Sequence, residues 1–203
     1  MDSPPFSGTR EPRPGATGFT LIELMVTLVV LAILLALAIP SFVRLLAANR
    51  LSTEASELIA SLNLARSEAV RRGQSVALRA IDASNYSKGW TVFADLNRNG
   101  AQASTTDDTD GKPLREVGGF SGTTTIRRVT RSAPPGAFTY TDVDASDAAR
   151  TYVVFTARGA ITANPQAFFR ICDGAHPTLQ GRIVQVNAVG KVTLDSVDAT
   201  CSS

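Results

Sequence analysis

The residue whose type and position most clearly require a chemical partner is Glu23, a carboxylate at the start of a long apolar stretch. No charged residue follows it until Arg44. A helix of about 20 apolar residues, rising about 1.5 Å per residue, spans roughly 30 Å, the thickness of a bilayer core. A charge at the mouth of such a segment is costly unless it is paired. The pattern therefore predicts a membrane segment whose Glu23 pairs with a cation.

The two cysteines, Cys172 and Cys201, are the next residues with reactive side chains. In an oxidising compartment they most simply form a disulfide, which closes a loop of about 30 residues and stabilises the fold by about 3 to 4 kcal/mol in the chain-entropy model. A structural zinc site needs four ligands, and His176 is the only histidine. We therefore predict a C-terminal disulfide, and we expect neither a metal nor a cofactor.

The segment Asp95-Leu96-Asn97-Arg98-Asn99-Gly100 has the alternating oxygen ligands and the glycine of the first half of a calcium-binding loop. Its twelfth position is Thr106 instead of a bidentate glutamate, so we interpret the segment as a tight turn. His176 has no nucleophile at a spacing typical of a catalytic site, and the sequence contains no Gly-x-Ser-x-Gly or phosphate loop. We expect no enzymatic activity.

Basic residues recur in the C-terminal half and define two competing hypotheses. They could form a DNA-binding face on a sheet, or they could belong to ordinary solvated strand faces, because phosphate binding requires several cations clustered in space. The formal net charge of +2 over 203 residues argues against a protein built mainly to bind nucleic acid. The residues are Arg127, Arg128, Arg131, Arg170, Arg182 and Lys191.

The N-terminal third predicts a leader followed by one long helix. Residues 1–18 are rich in proline, serine and glycine, so we expect a disordered leader that is removed. A helix is predicted from Phe19 to Arg72, with a kink before Pro40. Residues 19–46 form its transmembrane part and residues 47–73 its amphipathic part. The apolar stripe of the second part is Leu51, Ala55, Leu58, Leu62, Ala65 and Ala69, with Glu54, Glu57, Arg66, Glu68 and Arg71 turned mostly away.

Residues 74–203 predict a β-rich domain, because the hydrophobic period changes to alternation with frequent turn residues. Polar stretches from Asn97 to Pro113 and from Ser132 to Ala149 are predicted to be exposed loops. One long helix followed by many strands indicates an α+β fold, in which an antiparallel sheet packs on the second half of the helix. The predicted strands are Val76 to Ile81, Gly89 to Ala94, Thr124 to Thr130, Tyr152 to Thr156, Phe168 to Cys172, Arg182 to Asn187 and Lys191 to Leu194.

The string Gly18-Phe19-Thr20-Leu21-Ile22-Glu23 resembles the prepilin peptidase site of type IV pilins and type II secretion pseudopilins. The resemblance implies cleavage between Gly18 and Phe19, methylation of the new Phe19 amine, and pairing of Glu23 with the terminal amine of a neighbouring subunit. It also implies an inner-membrane protein with a single span and a periplasmic C-terminal domain. The implied partners are prepilin peptidase and other pilins or pseudopilins in a fibre.

The likeness continues in four later segments, which are Gly89 to Asp95, Asn97 to Gly100, Phe155 to Gly159 and Arg170 to Cys172. Together they resemble the GspH/FimT branch of minor pilins. Three functions follow as hypotheses: a minor pilin that helps to initiate and assemble a type IV pilus, a type II secretion pseudopilin, or a pilin that binds DNA. The resemblance implies that members active in DNA uptake have an arginine-rich Gly-Arg-x-Arg stretch near the C-terminus. The second arginine is missing from both matching segments of this chain, Gly181-Arg182-Ile183-Val184 and Gly190-Lys191-Val192-Thr193.

Overall fold

The computed structural model describes residues 18–82, 85–98, 100, 113–120, 122–132, 139–143, 151–162, 166–176, 178–195 and 201. The chain divides into two compact units, Met1–Phe42 and Val43–Ser203. The predicted leader, residues 1–18, lies outside the described residues apart from Gly18.

Helix α1 spans Leu21–Arg72 and contains Pro40 in its interior. It begins two residues later than predicted, because Thr20 caps it: the Glu23 amide donates to Thr20 Oγ1 at 3.3 Å. It ends where predicted, with Arg71 and Arg72 in the last turn and a bond from the Gln74 amide to the Ala69 carbonyl. The helix is long and apolar enough to cross a membrane, and its most apolar window is entirely exposed.

Among the described residues, nine strands form one sheet in the order β6-β1-β2-β4-β7-β8-β9, with β3 added to β2 and β5 added to β4. The pairings are antiparallel. This confirms the predicted α+β class. The strands are β1 (Val76–Asp82), β2 (Asn85–Ala94), β3 (Arg115–Gly118), β4 (Thr124–Ser132), β5 (Thr139–Asp142), β6 (Tyr152–Phe155), β7 (Gln166–Asp173), β8 (Arg182–Asn187) and β9 (Val192–Asp195).

Two strands were not predicted. Strand β5 lies inside the segment from Ser132 to Ala149, so the prediction of an exposed loop is wrong there. Strand β3 follows the other predicted loop, most of which lies outside the described residues. Both strands are four residues long and mostly polar, and they form because β2 and β4 offer hydrogen-bonding edges. Pairing with a neighbouring strand outweighs local propensity in such short segments.

The core lies between the second part of α1 and one face of the sheet. All six residues of the predicted helical stripe are buried. They pack against alternate residues of the strands, including Trp90, Ile126 and Phe169. The prediction that Glu54 turns away is wrong: its side chain is on the buried side, and the residue is only 4% exposed.

Burial raises the pKa of Glu54, although contact with the Thr124 hydroxyl and the positive charge of Arg50 lower it, and the charge of Asp173 adds to the rise. Oxygen Oε2 of Glu54 has no hydrogen-bond partner among the described residues. Because the folded state binds this proton more tightly than the unfolded chain, the contribution of Glu54 to the free energy of unfolding is fully present below about pH 4.5 and falls as the pH rises through the folded-state pKa.

We therefore expect Glu54→Gln to stabilise the protein above about pH 4.5, the usual pKa of a glutamate, and to change little below it. The measurement is the urea midpoint of the full chain in detergent micelles across that range of pH. The control is Glu116→Gln, because Glu116 is an exposed carboxylate of strand β3. An equal rise in stability at acidic and neutral pH would contradict the assignment of the effect to Glu54 ionisation.

The two ends of the sheet meet beside α1. The turn after β6 and the turn between β8 and β9 are joined by a bond from the Ile161 amide to the Ala188 carbonyl. Arg66 of α1 donates from Nε to the Gly159 carbonyl at 3.1 Å and from Nη2 to the Val189 carbonyl at 3.1 Å. Arg66 thus holds both turns on the helix. We call this contact the Arg66 clamp.

Candidate functional site

The N-terminal site consists of Gly18, Phe19 and Glu23 at the start of α1. Gly18 and Phe19 precede the helix, and Phe19 is 81% exposed. The bond between them therefore lies in irregular backbone, where an enzyme can reach it. Glu23 is an acidic residue in the first turn, a position that the helix dipole favours.

Glu23 makes no ion pair within the described residues. The next charged residue along the sequence is Arg44, at the other end of the apolar stretch. The apolar residues between them, from Leu24 to Val43, are exposed. When this apolar segment lies in a bilayer or a helix bundle, the Glu23 carboxylate at its start therefore needs a cation that the described residues do not supply.

The second site is the disulfide between Cys172 and Cys201, whose Cα atoms are 5.6 Å apart. It joins the end of β7 to a residue near the C-terminus. Gly181 passes directly beside it: a Cβ atom on Gly181 would lie 2.8 Å from Cys201 Sγ and 2.8 Å from the Ile171 carbonyl oxygen. Sequence reasoning did not assign this role to Gly181, because the close approach arises only when β8 pairs with β7.

Removing the disulfide should lower the stability of the protein. We expect Cys172→Ser/Cys201→Ser to reduce the free energy of unfolding by about 3 to 4 kcal/mol, because the unfolded chain regains the entropy of an open loop. The measurement is the urea midpoint of the full chain in detergent, with wild type under reducing conditions as a second test. A double variant as stable as oxidised wild type would contradict the expectation.

The six basic residues of the predicted DNA-binding face do not share one surface. Arg128 points to the helix side of the sheet and is only 3% exposed. Its guanidinium lies 5.2 Å from the centre of the Phe169 ring and donates to the Tyr152 carbonyl. Arg128 therefore cannot reach a nucleic acid, and its assignment to an exposed basic face is wrong. It is buried because strand alternation places it next to Ile126 on the core side.

The remaining five lie in three places. Arg182 lies two residues before Val184 in β8, so both side chains are on the face of the sheet that packs on the helix. Lys191 is exposed beside the turn between β8 and β9. Three arginines lie on the face of the sheet that points away from α1: Arg127 and Arg170, which meet Asp142, and Arg131, whose guanidinium is 4.8 Å from the centre of the Phe168 ring.

The loop that resembles a calcium site is a turn in its described part. Asp95 is fully buried, and one carboxylate oxygen accepts a bond from the Gly100 amide at 2.9 Å. Arg98 has a positive φ of 61° and donates to the Ser75 hydroxyl. No group of three His, Cys, Asp or Glu residues that could hold a metal occurs in the described part of the chain. The Asp95 carboxylate therefore stabilises the turn.

His176 pairs with Asp173, with Nδ1 at 3.0 Å from Oδ2. Asp173 also accepts from the Thr123 hydroxyl and the Ala175 amide. Burial raises the pKa of Asp173, but these partners outweigh it and hold that pKa below its ordinary value. The carboxylate stands between the imidazole and the hydroxyl, so His176 does not contact Thr123 as a base would contact a nucleophile. The cluster joins β4 to the turn after β7.

Comparisons with known proteins agree with this architecture. The family described as Type II transport protein GspH matches residues 54–190, and the Prokaryotic N-terminal methylation motif matches residues 13–39. The pilin-like protein PilA1 of Thermus thermophilus is 38% identical over 84 residues, which are 40% of this chain and 50% of PilA1. The chain thus spans about half the length of that relative.

Two kinds of solved structure are also similar. The type IV minor pilin FimU of Pseudomonas aeruginosa superposes with a TM-score of 0.54 at 23% identity, covering 76% of this chain and 96% of FimU. The minor pseudopilin EpsH from the Type 2 Secretion System of Vibrio cholerae has a TM-score of 0.45 at 14% identity, covering 71% of this chain and 94% of EpsH. The likeness to FimU shows a shared fold. Because the GspH match covers more than half of the chain, this protein belongs to the GspH family of minor pilins and pseudopilins.

Proposed function

We propose that this protein is a minor pilin that helps to initiate and assemble a type IV pilus fibre. The observation that carries the proposal is the exposed apolar part of α1, with an unpaired carboxylate at its start. An apolar surface of this extent is stable only in a membrane or among other apolar helices. A fibre core made of such helices supplies both the apolar surroundings and a cation, the amine of a neighbouring subunit.

Maturation creates that cation. In this proposal, prepilin peptidase cuts between Gly18 and Phe19, the new Phe19 amine is methylated, and Glu23 of one subunit pairs with the amine of the next. The exposed, non-helical position of Gly18 and Phe19 supports the cut. The match of the N-terminal methylation motif to residues 13–39 supports the modification.

The same proposal places the leader in the cytoplasm, a single span in the inner membrane and the β-rich domain in the periplasm. The length and apolar character of α1 support the span. The Cys172–Cys201 disulfide supports an oxidising compartment for the domain. The mature chain would leave this membrane on incorporation into the fibre.

The experiment that tests the proposal is mass spectrometry of fibres sheared from cells that express the protein. We expect a chain that begins at N-methylated Phe19 and is present at a low ratio to the main fibre subunit. The matched control is Gly18→Leu, which we expect to remain in the membrane fraction as the uncleaved chain, because the peptidase must accept the residue before the cut. A Gly18→Leu chain that lost the mass of its leader would contradict this cleavage site.

A second candidate is a minor pseudopilin that aids protein export by type II secretion, and the description of the matching family favours it. A deletion strain separates the two functions. Loss of surface fibres with normal protein export supports the pilus, and retention of exported proteins in the periplasm with normal fibres supports secretion.

A further inference from the structure

A groove of about 580 Å³ lies on the face of the sheet that points away from α1. Its lining includes Arg127 of β4, Arg170 of β7, Asp142 at the end of β5 and the Cys172–Cys201 disulfide. We call it the arginine groove. Its two arginines alternate along their strands with residues that pack against the helix, such as Ile126 and Phe169. The groove is therefore separate from the N-terminal site.

The two arginines form an unfavourable pair. Arg127 and Arg170 are direct partners in the antiparallel register of β4 and β7, so their side chains are on the same face. Like charges directly opposite each other across a sheet are destabilising. A second cation at this point does not stabilise the fold, so the pair requires a compensating negative charge.

Asp142 supplies only part of that charge. Arg170 Nη2 donates to Asp142 Oδ1 at 2.6 Å, whereas Arg127 Nε is 3.8 Å from Oδ2, beyond hydrogen-bond distance. Within the described residues, the Arg127 guanidinium makes no hydrogen bond. Asp173 also lines the groove, but its oxygens are engaged by Thr123, Ala175 and His176. Within the described residues, the two arginines therefore share Asp142 as their only ion-pair partner.

The two guanidiniums also differ in exposure. The side chain of Arg170 is 15% exposed, whereas that of Arg127 is 46% exposed. The less exposed guanidinium is held by Asp142, whose own side chain is 41% exposed. The more exposed guanidinium has donors that a molecule entering from solvent can reach. The groove therefore combines an anchored cation with an accessible one.

We propose that the arginine groove binds the carboxylate of an acidic side chain from a peptide partner. The Arg170–Asp142 pair shows that this surface already accepts a carboxylate, and a second one would occupy the donors of Arg127 in the forked geometry that guanidinium favours. Nucleic acid is the less suitable ligand because Arg128 and Arg182 lie on the other side of the sheet. Arg131, the third arginine on this face, lies over the Phe168 ring, so among the described residues the groove itself offers only two cations to successive phosphates.

Calorimetry of the full chain in non-ionic detergent tests this inference with N-acetylglutamate as the probe. We expect wild type to bind it weakly, with a Kd of about 1 mM, and Arg127→Gln to bind it at least about tenfold more weakly. Asp142→Asn should bind more tightly than wild type, since it removes the competing carboxylate. Arg158→Gln, which removes the same charge from an exposed turn, should bind like wild type. The thermal midpoint of each variant reports whether it is folded.

Equal binding by wild type and Arg127→Gln would overturn the inference, as would weaker binding by a folded Asp142→Asn. Binding of a short DNA duplex without binding of N-acetylglutamate would overturn the carboxylate assignment in favour of nucleic acid. Binding of neither probe would overturn the groove as a ligand site. None of these outcomes depends on fibre assembly, so failure here leaves the proposed function intact.

Discussion

Replacing Glu23 by alanine should leave the protein cleaved and membrane-inserted but nearly absent from fibres. In the proposed fibre, the Phe19 amine of a neighbour enters apolar surroundings and meets Glu23. Removing one partner of a buried ion pair leaves the other charge unpaired, which costs about 2 to 5 kcal/mol and lowers incorporation by about 30-fold or more. The measurement is the ratio of the subunit in sheared fibres to that in membranes, by quantitative mass spectrometry.

Two further variants show whether the charge itself is responsible. Glu23→Asp keeps the carboxylate and should restore part of the incorporation, whereas Glu23→Gln should behave like the alanine variant. The matched control is Glu116→Ala, which removes an exposed carboxylate from strand β3 and should incorporate normally. Normal incorporation of Glu23→Ala would refute the pairing of Glu23 with a neighbour's amine.

Replacing Gly190 by alanine should be the most destabilising single methyl addition among the described glycines. A Cβ atom on Gly190 would lie 1.8 Å from the Gly159 carbonyl oxygen, which is the acceptor of Arg66 Nε in the Arg66 clamp. Gly190 also has a φ of +76°, a conformation that side chains disfavour. We expect a loss of about 2 to 4 kcal/mol in the free energy of unfolding, because both the clash and the backbone strain must be relieved.

The measurement is the thermal midpoint of the full chain in detergent, which should fall by about 5 to 15 °C. The control is Gly118→Ala in strand β3, where nothing lies within 4 Å of the added methyl group. A midpoint for Gly190→Ala within about 2 °C of the Gly118→Ala value would contradict the close packing of the two turns. Arg66→Ala should show an intermediate loss, since it removes both clamp hydrogen bonds without adding a clash.

Local patterns in the sequence predicted the main helix and most of the strands, because each pattern repeats within a few residues. The helical stripe from Leu51 to Ala69 has the period of one buried face, and burial of that face confirms it. The seven predicted strands are present, because alternation of apolar and polar residues also repeats within a few residues. Their ends shift by two residues or fewer, except that β2 begins at Asn85 instead of Gly89. The helix begins two residues after the predicted start, because the Thr20 hydroxyl caps its first turn.

Charged residues were harder to predict, because their environment depends on the element that packs against them. Nothing near Glu54 in the sequence indicates that strands β4 and β7 cover it, and nothing near Arg128 indicates that Phe169 lies beneath its guanidinium. In the sequence around them, Glu54 and Arg128 resemble charged residues on a solvated face, although they are only 4% and 3% exposed. Only the packing of helix on sheet separates the two cases.

The family, the long helix and the N-terminal motif with Glu23 could all be predicted from the sequence, because these features depend on residue types at fixed spacings along one segment. The tertiary structure decided which distant residues meet: Gly181 with the disulfide, Gly190 with Gly159, and Arg127 with Arg170 over Asp142. These contacts arise from strand register, and a register is set by the sheet as a whole, where a shift of one residue would turn each side chain to the opposite face.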